Sequence, residues 1–197
     1  VEGADADIER YFVTPGIRFG LTDRLTLLAA GPFAGYSDET PDESGLGDVE
    51  IGTEFLFYED IFEYAWILPH ATAILSTGDE DKGLGIGATD YGLSTEIGID
   101  KDGGGGYLSF GRRFLGEVAG PQREDGWQAG IGGWYNATER TSLGIGYDWR
   151  ESSTATGTDP AEIYAYASVK MSDAWRINVN VSAGLNEAGG IAGVVDG

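Results

Sequence analysis

With 33 acidic against 12 basic side chains among 197 residues, the chain carries a formal charge of −21. That balance lacks the basic face a nucleic-acid backbone requires, and it repels an anionic membrane surface unless the acids sit in loops away from it. Cysteine is absent, which excludes a disulfide framework, thiolate chemistry and a Cys-ligated metal.

No apolar run approaches the ~18 residues of a transmembrane helix. The sequence opens at Val1 without a charged-then-apolar leader, so any signal peptide has been removed or lies outside it. The 33 glycines, 10 Tyr, 8 Phe and 5 Trp favour strands and turns over helices.

In chain order, ten segments alternate apolar and polar residues, at roughly 8–21, 24–36, 48–58, 64–77, 90–101, 105–116, 126–136, 141–151, 161–171 and 175–186. In the first, Tyr11, Val13, Ile17, Phe19 and Leu21 share a face and Arg10, Thr14, Gly16 and Arg18 the other. In the third, Val49, Ile51, Phe55 and Phe57 oppose Asp48, Glu50, Gly52 and Glu54. A period of two is the strand signature. The connections also alternate. LTDR, YEDIFEY, DKDGG, NATERT and MSDAWR are short turns, whereas SDETPDESGLGD, STGDEDKGLGIGATD, EVAGPQREDG and ESSTATGTDPAE are long polar loops. Short turns at one end and long loops at the other predict an antiparallel meander.

Two features choose between a soluble sandwich and a membrane barrel. The polar faces carry glycine beside charges (Gly16, Gly20, Gly52, Gly92, Gly98, Gly144, Gly146), which suits a crowded interior. Aromatics gather near strand ends, at Tyr11, Phe33, Phe55, Phe57, Tyr91, Phe114, Trp127, Tyr135, Trp149 and Trp175, as in interfacial girdles. The expected class is all-β: a single antiparallel transmembrane β-barrel domain over 1–197 in a bacterial outer membrane, with the long loops outside. A soluble barrel or sandwich is the alternative. Pro15, Pro32 and Pro69 inside segments predict local breaks or bulges.

Alternation then assigns the interior. Arg10, Arg18, Arg113, Arg150 and Lys170 face inward with Asp48, Glu50, Glu54, Glu96, Asp100, Asp148 and Glu162. This near balance fits an ion-pair network filling a narrow barrel or the charged wall of a pore. Arg18, Glu54, His70, Glu96 and Arg113 are expected to share one lumen, each charge within reach of an opposite one. Arg112 points to lipid and is expected near an interface, where it can snorkel. His70, the one histidine, lies mid-strand, away from any membrane-borne substrate. It reads as a hydrogen-bonded lumen residue, and no enzyme chemistry is expected.

The stretch STGDEDKGLGIGATDYG at 76–92 invites other readings. Its Gly-x-Gly-x-Gly follows a strand, but no amphipathic helix follows to offer an N-terminus to phosphate. Asp79, Asp81 and Asp90 loosely imitate a calcium loop, with Gly83 at a position that needs a carboxylate. The expectations are loose divalent-cation binding at these acids, or a solvated loop whose glycines allow sharp bends. No organic cofactor is read.

The succession GLTDRLTLLAAGPF, SGLGDVEIGTEFLF, ILSTGDEDKGLGIGATDYGLSTEIGID and YLSFGRRFLG, over roughly 14–186, resembles the outer-membrane transporter family known as MetA-pathway of phenol degradation. The family's Leu-Pro-Thr-Gly-Asp stands here as Leu75-Ser76-Thr77-Gly78-Asp79. The resemblance implies about twelve strands, one before the first segment and one after the last, and both are expected in sequence that flanks this chain. It also implies a channel or passive transporter for small, mostly apolar or aromatic molecules. The alternative is a structural or interaction barrel with a plugged lumen, whose acidic loops bind divalent ions, surface polysaccharide or a protein partner. Outer-membrane lipid is the expected surrounding in either case.

Overall fold

Alternation of this kind produces one curled sheet. The computed structural model describes residues 9–37, 43–61, 64–119, 122–172, 176–186 and 193–196, with the backbone alone described at 9–12, 34–37, 43, 60–61 and 193–196. Among these residues there are strands and no helices: β1 Glu9–Gly20, β2 Leu25–Ala30, β3 Phe33–Ser37, β4 Glu43–Leu46, β5 Val49–Phe55, β6 Tyr58–Ile61 and β7 Ala65–Leu75, then β8 Asp90–Lys101, β9 Gly104–Phe114, β10 Gly126–Asn136, β11 Thr141–Arg150, β12 Ala161–Lys170, β13 Arg176–Gly184 and β14 Gly193–Asp196. All fourteen belong to one sheet.

From β1 through β2, β5 and β7 to β13 every neighbouring pair is antiparallel. Short β14 pairs antiparallel with β13 and parallel with β1, so the sheet returns on itself. The parallel contact follows from direction. β1, β2, β5 and the eight strands from β7 to β14 make eleven positions, and an odd meander brings its first and last members round pointing the same way. β14 lies where the family resemblance implies a strand after the last segment. The strand implied before the first segment lies outside the described residues.

The prolines explain one departure from ten uninterrupted segments. The second segment is split at Gly31-Pro32 into β2 and β3. β1 pairs with β3 over 9–13 and with β2 over 16–20. Pro15, which has no N–H to give the ladder, sits opposite the break, and its carbonyl accepts from Gly31 N–H at 3.1 Å. Pro69 by contrast stays within the paired run of β7. Two stretches expected as connections are strand instead. Residues 43–46 extend a hairpin with β3, and 58–61 continue β5 past an irregularity and stay paired to β7.

Turn chemistry fixes the short-turn end. Lys101 pairs with Gly104 across Asp102-Gly103, and Gly103 takes a φ of 94°; Asp-Gly is the pair such a two-residue hairpin demands. Two other turns share one device. Thr22 Oγ1 accepts from Arg24 and Leu25 N–H at 3.2 and 3.0 Å, and Thr138 Oγ1 accepts from Arg140 and Thr141 N–H at 3.1 and 3.0 Å. A threonine hydroxyl thereby closes the chain reversal.

The burial pattern is that of a soluble protein turned inside out. Phe19, Leu108, Ile131, Tyr135, Ile145 and Val181 are all more than half exposed, whereas Asp48, Glu54, Asp90 and Ser168 are buried. A water-soluble sandwich would reverse these assignments. Tyr91, Phe114 and Trp127 lie outward at the long-loop rim, and Phe55, Phe57 and Tyr135 at the other. Trp149 is partly covered. Tyr11 and Trp175 fall outside the described side chains. Arg112 stands in the long-loop girdle as expected, its guanidinium 5.2 Å from the Trp127 ring and 5.7 Å from that of Phe114, with Asp125 at 3.9 Å.

Candidate functional site

Four of the five residues expected to share one lumen form a continuous row. Arg18 on β1 reaches past β2 and donates through Nη2 to both carboxylate oxygens of Glu54 on β5. Glu54 is paired in register with His70 on β7, and its Oε1 lies 3.5 Å from His70 Nδ1. The other ring nitrogen, Nε2, faces Glu96 on β8 at 3.8 Å and has no hydrogen-bond partner of its own. The row therefore runs cation, anion, imidazole, anion around one side of the barrel.

Arg113 does not join it. On β9 it stands opposite Gly92, while Glu96 stands opposite Ser109. Four residues of strand put them roughly 13 Å apart along the barrel wall. Arg113 Nη2 instead donates to the Glu151 carbonyl at 2.6 Å, towards the long-loop end. There Arg150 bonds Glu162 at 2.9 Å, with Asp148 in register beside Glu162. Glu50 lies on β5 between Ala30 and Ile74, and Lys170 ends β12 at the short-turn rim opposite Arg176. The backbone of Arg10 lies in β1, and its side chain is outside the described ones.

Asp48 and Asp90 tie down loops. Asp48, expected among the inward charges, accepts from Thr77 N–H at 3.0 Å, Gly78 N–H at 2.9 Å and Ile86 N–H at 2.6 Å. Thr77 answers by accepting from Val49 N–H at 2.9 Å and donating to the Gly47 carbonyl at 3.2 Å. The loop 76–89 is thus laced to the start of β5, with its own Leu84 and Ala88 buried. Gly83, at a φ of 67°, bonds back to Glu80 and lets the chain turn inward.

The trio Asp79, Asp81 and Asp90 is not brought together. Asp90 is engaged by Arg123, at 2.8 and 2.5 Å, and by Gly116 N–H at 2.9 Å. Asp79 lies 4.0 Å from Lys82 Nζ. Among the described residues no three His, Asp or Glu side chains are placed to hold a metal ion. Arg123 and Asp90 are both largely covered, so Asp90→Asn should cost about 2 kcal/mol of stability. Thermal melts in a double-mutant cycle with Arg123→Ala check this; additive losses would show that the pair is not coupled.

A set of inward aromatics goes beyond the sequence expectations. Trp66, Tyr107, Trp134, Tyr164 and Tyr166 line a cavity of about 980 Å³ that also touches Arg18, Glu54 and Glu96. Each is paired in register with a glycine on an adjacent strand: Trp66 with Gly98, Trp134 with Gly105, Tyr107 with Gly132, Tyr166 with Gly144 and Tyr164 with Gly146. A Cβ at any of these glycines would run into the partnered ring, so each ring lies over its glycine. Gly132 and Gly146 are themselves partners, and across them the Tyr107 and Tyr164 hydroxyls hydrogen-bond. The signal was available: Tyr164 and Tyr166 share the parity of Glu162.

No protein-family model matches the chain, and no curated protein does. Among solved structures it is similar to an outer membrane channel from Pseudomonas putida F1. The TM-score is 0.67 at 17% identity, over 90% of this chain and 76% of that one. At such identity the likeness speaks for architecture: the chain has the fold of an outer-membrane β-barrel.

Proposed function

We propose that the chain is a narrow outer-membrane channel or passive transporter for small, mostly apolar or aromatic molecules. The observation that carries the channel reading is the inverted burial: apolar side chains outside, and a charged row inside beside a cavity of about 980 Å³. A wall of this kind suits water and solute within and lipid without. The similarity to a channel protein supports the same reading, and the apolar or aromatic cargo rests on the family resemblance of the motifs. The first test is partition. The protein should fractionate with outer membranes, require detergent, and shift gel mobility on boiling; a monodisperse protein in plain buffer would remove the membrane reading. Liposomes carrying the protein should then pass small ions and aromatics.

One observation favours a second reading, a barrel closed by its loops. Leu84 and Ala88 of the anchored 76–89 loop are themselves buried, as the apolar side chains of an inward-folded cap would be. Intact liposome-inserted protein with no flux of ions or small aromatics would favour that structural or interaction role.

A further inference from the structure

The glycine–aromatic pairs gather the inward rings on one side of the interior. All five rings stand on β7, β9, β10 and β12, and all five partnered glycines on β8 to β11. Elsewhere the cavity is lined by Arg18 and Thr26 on β1 and β2, Glu54 on β5, and Asn178 and Asn180 on β13, beside the apolar Ile17 and Phe19; Glu96 and Ser168 add polar groups among the ring-bearing strands. A glycine that receives a neighbouring ring leaves it against the wall instead of projecting inward, so its far face borders the open volume. Any larger residue at the glycine would drive the ring into that volume. The Tyr107–Tyr164 hydroxyl bond braces two of the rings over the Gly132–Gly146 pair.

We propose that this wall is a binding surface for a six-membered ring with apolar faces and a hydroxylated rim. The ring faces of the solute stack on Trp66, Tyr107, Trp134, Tyr164 and Tyr166 while its rim bonds the polar groups of the lining. The proposal deepens the channel reading and rests on it for the route to the site. Three features support the assignment. Aromatic side chains offer flat faces that favour stacked or C–H contacts with planar partners. The cavity lies within the ~300–1,000 Å³ range of small-molecule sites. Asparagine amides and carboxylates on the same lining supply both donors and acceptors for hydroxyls. An acyclic or purely aliphatic solute would use the rings or the polar groups, never both. Pyranose sugars and hydroxylated benzenes share the required chemistry.

Saturation-transfer NMR on the detergent-solubilised chain, with glucose, resorcinol and the acyclic polyol sorbitol as separate probes, tests the proposal. Glucose, resorcinol or both should receive saturation from the protein, and sorbitol should receive little. Transfer to glucose alone would assign sugars as the source of the ligand, and to resorcinol alone hydroxylated aromatics. Tyr166→Leu and Trp134→Leu should each cut the transfer roughly five-fold, the size of one lost ring contact. Tyr164→Phe, which keeps its ring, should leave it near the starting value. A boiling-dependent mobility shift shows that each variant is folded. Equal transfer to sorbitol, no transfer to any probe, or folded Leu variants that bind as well as the parent would overturn the proposal. Because this readout needs no flux, a protein that binds ring solutes but passes no current would overturn the channel reading alone.

Discussion

Replacing Asp48 by alanine should release the 76–89 loop while leaving the barrel wall paired. Its carboxylate accepts three backbone N–H groups, from Thr77, Gly78 and Ile86, and is itself buried. Hydrogen bonds to a charged acceptor contribute about 1.5–3 kcal/mol each, and the three are not additive because all of them hold a single loop. A loss of about 3 kcal/mol, confined to the loop, is the expected scale. Lys82, at the exposed tip, supplies the readout. Trypsin should cut after Lys82 in the folded variant far faster than in the parent, with the boiling-dependent mobility shift retained. Asp48→Asn keeps one acceptor oxygen and should fall between the two. Equal cleavage of parent and Asp48→Ala would mean that the loop is held by Leu84 burial instead.

That anchoring role was partly hidden in the sequence, and the reason is instructive. Alternation tells which face a residue occupies but not its height along the barrel or what a loop brings down upon it. Parity alone puts Glu54, His70 and Glu96 on one face, and their side chains stand in one row. Arg113 shares that parity, but the β8–β9 register sets it four residues from Glu96, and register depends on both strands together. Asp48 and Asp90 stand at strand ends, so their partners come from loops. Arg123, which engages Asp90, is 33 positions away, and no local pattern announces that meeting. The inward aromatics were legible by parity at Tyr164 and Tyr166. What made them intelligible was the register that sets each ring against a glycine, which requires the paired strand as well.

Glu54→Gln should change the barrel's interior more than any other single substitution. Glu54 holds Arg18 through both carboxylate oxygens and faces His70, so the amide leaves Arg18 without its counter-charge. Removing one member of a fully buried pair costs ~3–5 kcal/mol. Arg18 is about half exposed to the cavity (48%), so water screens part of that loss and about 2 kcal/mol is the expected scale. The sign of the selectivity effect follows from the charge removed. With one negative group gone from the wall and Arg18 uncovered, anion permeability should rise relative to cations. Reversal potentials across a planar bilayer under a KCl gradient measure it, and they should move towards the chloride value. In Arg18→Gln the opposite shift is expected, and the double variant should return close to the parent. If the interior conducts nothing, stability should still fall in each single variant and recover in the double. A Glu54→Gln protein unchanged in both melting temperature and reversal potential would show that this row neither braces the wall nor sees the permeating ions.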